Sequence, residues 1–204
     1  QEVRGAIEAH PASWRFHHSR HLGYQHRLDD GFRALFSREL LLVDGRREGG
    51  RAADPALRGY LSFLRSCLPS VPRGSAELVR TVAKSISTGF GGVRSHDLEL
   101  RWRRRLDELR LEFPRDLPIG LLLASPQRST RGAGLQRHRA VLFKYICDAM
   151  SVCDAALLWD AHRDTAISVA LVDGRPVLVD LMDEPGAMQD ATELHDVVQQ
   201  LQDD

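Results

Sequence analysis

The stretch running from Gly132 to Gly186 constrains the fold most. A loop holding Gly132 and Gly134 feeds an apolar helix over 136–150, with Val141, Leu142, Tyr145, Ile146 and Ala149 as its expected inward stripe. Two β-rich runs follow, 155–159 and 166–172. Asp173-Gly174 turns the second into a third run, 177–181, and that dipeptide between apolar runs is a strong hairpin signal. Helix first and antiparallel strands after it make the expected class α+β, a central helix packed on an antiparallel sheet.

The chain before that stretch reads as mostly helical. Trp14, Phe16, His17, His18, His21, Tyr24 and His26 crowd its start. His17 and His21 stand four apart, and on a helix two imidazoles at that spacing would present themselves to a metal. No Cys and no suitably spaced Glu accompanies them, so the expectation is hydrogen-bonded histidines on a partly buried helix, without metal or cofactor. After an Asp29-Asp30-Gly31 turn, Phe32, Leu35 and Phe36 are expected to begin a helix. Residues 39–44 form a short apolar strand stopped by Gly45. Helical periodicity returns over 55–68 and 75–87, separated by Pro69 and Pro72, and Gly89, Gly91 and Gly92 then break the chain.

Residues 97–113 form an amphipathic helix with Leu98, Trp102, Leu106, Leu109 and Phe113 on one stripe and Pro114 as its stop. Arg101, Arg103, Arg104, Arg105 and Arg110 suggest a grip on phosphate or nucleic acid. Asp97, Glu99, Asp107, Glu108 and Glu112 are interleaved with them, which reads instead as a solvated face laced with ion pairs. Residues from Thr192 onward are expected to be helical through Leu194, Val197, Val198 and Leu201.

Composition sets bounds. With 28 basic and 28 acidic residues, no global charge draws the chain to nucleic acid or to an acidic membrane. No apolar run nears the roughly 20 residues a membrane span requires, and no signal peptide is visible. Cys67, Cys147 and Cys153 make an odd count without paired spacing, as expected for free thiols in a reducing cytoplasm.

Gln136-Arg137-His138-Arg139-Ala140-Val141-Leu142-Phe143-Lys144 resembles the Cys-Arg-His-Arg-Ala-Leu-Leu-Phe-Lys signature of one peptidase-like family. That family occurs before the kinase domain of plant constitutive-triple-response and enhanced-disease-resistance Raf-like kinases, and at the end of a ciliary armadillo-repeat protein. Three further blocks match in order: Leu28-Asp29-Asp30-Gly31-Phe32, Leu117-Pro118-Ile119-Gly120, and Leu178-Val179-Asp180-Leu181 with Pro185-Gly186. The resemblance implies a transglutaminase-like (papain-like) core. It further implies a single peptidase-like domain over 1–204, helical over 1–120 with the core helix and sheet over 121–204, excised from a longer protein.

Catalytic members of that fold place a Cys at the helix start and a His and an Asp on the strands behind it. The resemblance puts Gln136 at the Cys position, Thr165 at the His position and Asp180 at the third. A carboxamide neither ionises nor attacks a carbonyl, so the expectation is a pseudoenzyme whose vestigial positions are Gln136, His138, Thr165 and Asp180. His138 and Asp180 are expected to act as structural hydrogen-bonding residues, with Asp180 accepting from the helix start or from His138. A residual thiol hydrolase or transferase built on Cys147 or Cys153, with His162 near the vacant His position, is the enzymatic alternative. The expected role is a protein-interaction or regulatory module. Its partners would be a kinase, armadillo repeats, or a cytoskeletal or receptor protein, in the cytoplasm or the cilium. The Asp-Leu-Met…Pro-Gly block leans toward the armadillo version.

Overall fold

The computed structural model describes residues 22–28, 30–45, 54–114, 116–125, 130–160, 163–194 and 198. Trp14, Phe16, His17, His18, His21 and His162 lie outside them, as does most of the expected C-terminal helix, of which 192–194 is described as helical. The chain is α+β. A three-stranded sheet comes first. Strand β1 (Phe32–Leu35) pairs antiparallel with β2 (Leu40–Val43), and β3 (Asp116–Pro118) joins β2 in parallel.

Strand β1 overturns the expectation of a helix from Phe32. Along it Ala34 is buried between exposed Arg33 and Leu35, and Phe36 beyond its end is buried again, a period of two. Five residues are too few for periodicity to separate helix from strand, and pairing with the apolar β2 decides the matter. The first 120 residues therefore carry a sheet as well as helices.

Those helices fall where expected: α1 (Pro55–Cys67), α2 (Ala76–Gly89) and α3 (Leu98–Glu112). Asp54 caps α1 through its carboxylate, which accepts from the amides of Ala56 and Leu57, and Pro55 occupies the first turn where its missing donor costs nothing. The same carboxylate accepts from Gly120 N at 2.6 Å. A Cβ at Gly120 would stand 2.4 Å from Asp54 Oδ1, so glycine is what allows the 3-10 turn Ile119–Leu122 to close on α1. That contact gives the Leu-Pro-Ile-Gly block its physical content.

Helix α4 (Gln136–Met150) runs through the middle, buried continuously from Arg137 to Cys147. Phe143 and Ile146 are fully buried, each worth about 1.5–3 kcal/mol. Ala149, expected on the inward stripe, is exposed. One side of α4 lies on the second sheet, ordered β4 (Ala155–Asp160), β5 (Thr165–Val172), β6 (Arg175–Val179) and β7 (Met188–Asp190), antiparallel throughout. Ser168 Oγ donates from β5 to Ala140 O at 3.1 Å. The β5–β6 hairpin turns at Asp173 and Gly174, both at positive φ (49° and 77°), as the Asp-Gly signal requires. Helix α2 also packs against α4.

Candidate functional site

Of the four positions singled out by sequence, Gln136 and His138 lie in the first turn of α4, while Thr165 and Asp180 have neighbours, Asp164 and Leu181, that touch Arg137 and Arg139 of that helix. Gln136 is the first residue of the helix, half-buried, and its Oε1 is buried without a hydrogen-bond partner among the described residues. No hydroxyl or carboxylate caps this end. His138, in the third helical position, reaches back instead, and Leu135 N donates to its Nδ1 at 2.9 Å, half of a capping box built with an imidazole. With Nδ1 accepting, the proton of the neutral ring sits on Nε2, which donates to Glu39 Oε1 at 2.8 Å.

Glu39 immediately precedes β2, and its side chain is 1% exposed. The same Oε1 also accepts from Arg137 Nε at 2.8 Å. Burial pushes the Glu39 carboxyl upward, but the hydrogen bonds from His138 and Arg137, with the charge of Arg137, outweigh it and hold the group well below the usual carboxylate range. His138 is fully buried, and burial drives its pKa below the ordinary value despite the neighbouring carboxylate. The ring is neutral, both nitrogens are engaged, and no proton acceptor role is left to it.

Aromatic side chains wall this cluster. Phe36 stacks on Trp159 with centroids 4.4 Å apart and presents its edge toward His138. The Arg137 guanidinium lies over Phe36 at 5.2 Å and over Trp102 at 4.7 Å, and Arg137 Nη1 also approaches Asp164. Asp164 accepts from Ser37 N and Oγ, fastening the β1–β2 turn to the start of β5.

Arg139, one residue further, is fully buried and hydrogen-bonded through all its nitrogens. Nε donates to Gly134 O, Nη1 to Ser87 Oγ and Leu181 O, and Nη2 to Phe90 O and Gly92 O. Burial, then the charges of Arg101 and Arg94, lower its pKa to about 10, which leaves it charged at neutral pH. Among the residues just before it, Gly134 is another close approach, since a Cβ there would overlap the Phe90 ring at 2.2 Å.

The remaining expected residues are placed as follows. Thr165 opens β5 opposite Asp160, beside the Asp164 that meets Arg137. Asp180 follows β6, and its neighbour Leu181 gives its carbonyl to Arg139 of α4. The expectation that Asp180 accepts from the helix start or from His138 is overturned. Its Oδ1 accepts from Met182 N and Asp183 N and its Oδ2 from Glu184 N, because Asp before a tight turn satisfies the nearest amides first. The partner of His138 is Glu39, which the sequence marks only as the first residue of the 39–44 strand. Its only signal is an acid at an inward position next to an apolar strand.

Cys147 and Cys153 are buried 3.5 Å apart, and burial first, then Cys153, pushes the Cys147 thiol well up. No group of three or more metal-ligating side chains occurs among the described residues. On α3, Arg101 pairs with Asp97, Arg103 with Glu99 and Arg105 with Glu108. Arg101 and Arg105 also donate to Gly132 O and Leu121 O. No helix among the described residues is long and apolar enough to cross a membrane.

Residues 49–189 match the family described as EDR1/CTR1/ARMC3, peptidase-like. Among curated proteins, the serine/threonine-protein kinase CTR1 of Arabidopsis thaliana is 31% identical over 161 residues, 74% of this chain and 17% of that protein. The probable serine/threonine-protein kinase SIS8 of the same plant is 31% identical over 121 residues, 56% of this chain and 11% of that protein. The chain thus spans less than a fifth of the length of either kinase. No solved structure matches it.

Proposed function

The chain belongs to the EDR1/CTR1/ARMC3 peptidase-like family, and on that premise we propose that it is a pseudoenzyme: a peptidase-like domain serving as a protein-interaction or regulatory module within a larger protein. The observation that carries this reading is Gln136 in the first turn of α4, where the resemblance places a nucleophilic Cys. A helix start stabilises a thiolate; a carboxamide has nothing there to ionise. Thr165 likewise lacks a proton acceptor of imidazole kind.

The rest of the signature supports the reading because its polar groups are bonded into the fold. His138 is held by Leu135 and Glu39, Arg137 by Glu39, Arg139 by carbonyls and a hydroxyl, and Lys144 by Asp148 at 2.9 Å. Gln136, Thr165 and Asp180 are vestigial positions of a transglutaminase-like core, and residues 1–204 are one domain of that kind. A central helix with an antiparallel sheet behind it, and the contacts of Asp164 and Leu181 with Arg137 and Arg139, favour this arrangement. A relocated thiol enzyme is disfavoured by the burial of Cys147 and Cys153, and a phosphate grip on α3 by the carboxylates that Arg101, Arg103 and Arg105 already hold.

The partner is then protein. A kinase domain in the same chain is favoured by two relatives that are named serine/threonine-protein kinases, and armadillo repeats by the family description. Two measurements test this. A thiol-directed activity probe on the wild type should label exposed Cys67 at an ordinary thiol rate and the buried Cys147 and Cys153 more slowly. Fast stoichiometric labelling of one, abolished by Cys147→Ser or Cys153→Ser, overturns the pseudoenzyme. Titration of the chain into the kinase domain of the CTR1 relative should give saturable binding, and no association at the highest soluble concentration overturns the kinase-facing module.

A further inference from the structure

The two buried thiols have no part in the reading above. Cys147 lies in the last turn of α4 and Cys153 just before β4, with Sγ atoms 3.5 Å apart and side chains 1% and 2% exposed. Between them the chain reverses at Ser151, which ends α4 in the left-handed region (φ 54°) and is exposed. A non-glycine residue in that conformation carries a steric cost, and it sits at the corner that brings the two cysteines together. Val152 N donates to Cys147 O across the same turn and holds the two cysteine backbones together. The two sulfurs, already 3.5 Å apart, would close to about 2.05 Å in a disulfide.

We propose that Cys147 and Cys153 form a redox modification site, joined into an intramolecular disulfide by a low-molecular-weight disulfide of the glutathione type. One protein thiol loses its proton, attacks the oxidant and releases one glutathione thiolate, leaving a mixed disulfide. The second protein thiol loses its proton, displaces the other glutathione and closes the ring. Two protein S–H bonds become one S–S bond, and the two released thiolates take up the two protons. The product staples the end of α4 to the start of β4. The exposed Cys67 has no cysteine partner and cannot follow the second step.

The test uses the full chain carrying Cys67→Ser, incubated with oxidised glutathione, acid-quenched and alkylated. Trypsin leaves both remaining cysteines in one fragment, 145–163. The expected result is that fragment lighter by two hydrogens, unalkylated, with the melting temperature of the oxidised protein raised by about 5 °C. A glutathione adduct that persists on either cysteine, or two thiols that remain alkylatable, overturns the proposal. So does a disulfide that forms only in urea and lowers the melting temperature. Phenylarsine oxide gives a second readout that needs no further substitution. A one-to-one adduct bridging both sulfurs is expected on the folded protein, and its absence counts against the site.

Discussion

Helices α3 and α4 carry similar basic runs, Arg101 to Arg105 in one and Arg137 to Arg139 in the other, yet they use them in opposite ways. On α3 the guanidiniums pair along the helix with acids three or four residues away, at side chains up to 66% exposed. Such pairs gain little over water and are screened by salt. On α4 Arg137, His138 and Arg139 are removed from water, and most of their partners, Glu39 and Ser87 among them, come from positions tens of residues distant. There a missing partner leaves an uncompensated buried charge. The denser run in the sequence therefore matters less than the sparser one, and burial sets the ranking.

That contrast can be broken most directly at Arg139. Arg139→Met keeps the bulk and removes every donor, stranding the buried carbonyls of Gly134, Phe90 and Leu181, and should cost about 3–5 kcal/mol in urea unfolding. A loss under about 1 kcal/mol would show that burial is not what ranks the two helices. Glu39→Ala comes next, at about 2–4 kcal/mol, since it strands both Arg137 and the Nε2 proton of His138; Glu39→Gln, which keeps an acceptor, should cost less.

His138→Ala should cost about 1–3 kcal/mol and also change the response to acid. The folded pKa of His138 lies below that of the unfolded chain, so the unfolded state binds the proton first and stability falls as pH drops below about 6.5. Glu39 has a folded pKa of about 2 against 4.5. Its contribution is full above 4.5 and drains as pH falls toward 2. Melting temperature against pH should therefore decline in two stages in the wild type, and His138→Gln should lose the upper one. An unchanged upper stage in that variant would place the titration elsewhere. Arg103→Ala on α3 should shift stability by no more than about 0.5 kcal/mol, and a larger loss would narrow the difference between the helices from the other side.

Much of the framework was legible because its signals are local. The Asp173-Gly174 hairpin, the apolar run of α4 and the stripe of α3 are each specified within a few residues of themselves. Strand β1 was misread because Phe32, Leu35 and Phe36 fit a helical face as well as they fit a strand, and only β2, across the turn, distinguishes the two. The site was legible in its positions and illegible in its bonds. His138 is separated from Glu39 by 99 residues, a pairing that no spacing rule reaches. Asp180 was expected to bond at long range and instead caps the turn it begins, which the run Asp180-Leu181-Met182-Asp183-Glu184-Pro185-Gly186 could have indicated.

The grip of Arg139 also bears on the order in which the chain assembles. Its acceptors belong to the end of α2 and the glycine corner behind it, to the loop before α4, and to the segment after β6. None of these alone compensates a guanidinium for lost water, so a state holding only one or two of them is worse off than one holding none. The three segments must consequently arrive together and leave together, late in folding and early in unfolding. Amide exchange at Gly92 and Gly134 should then follow a single opening event, with one rate shared between stretches that are some forty residues apart in the chain.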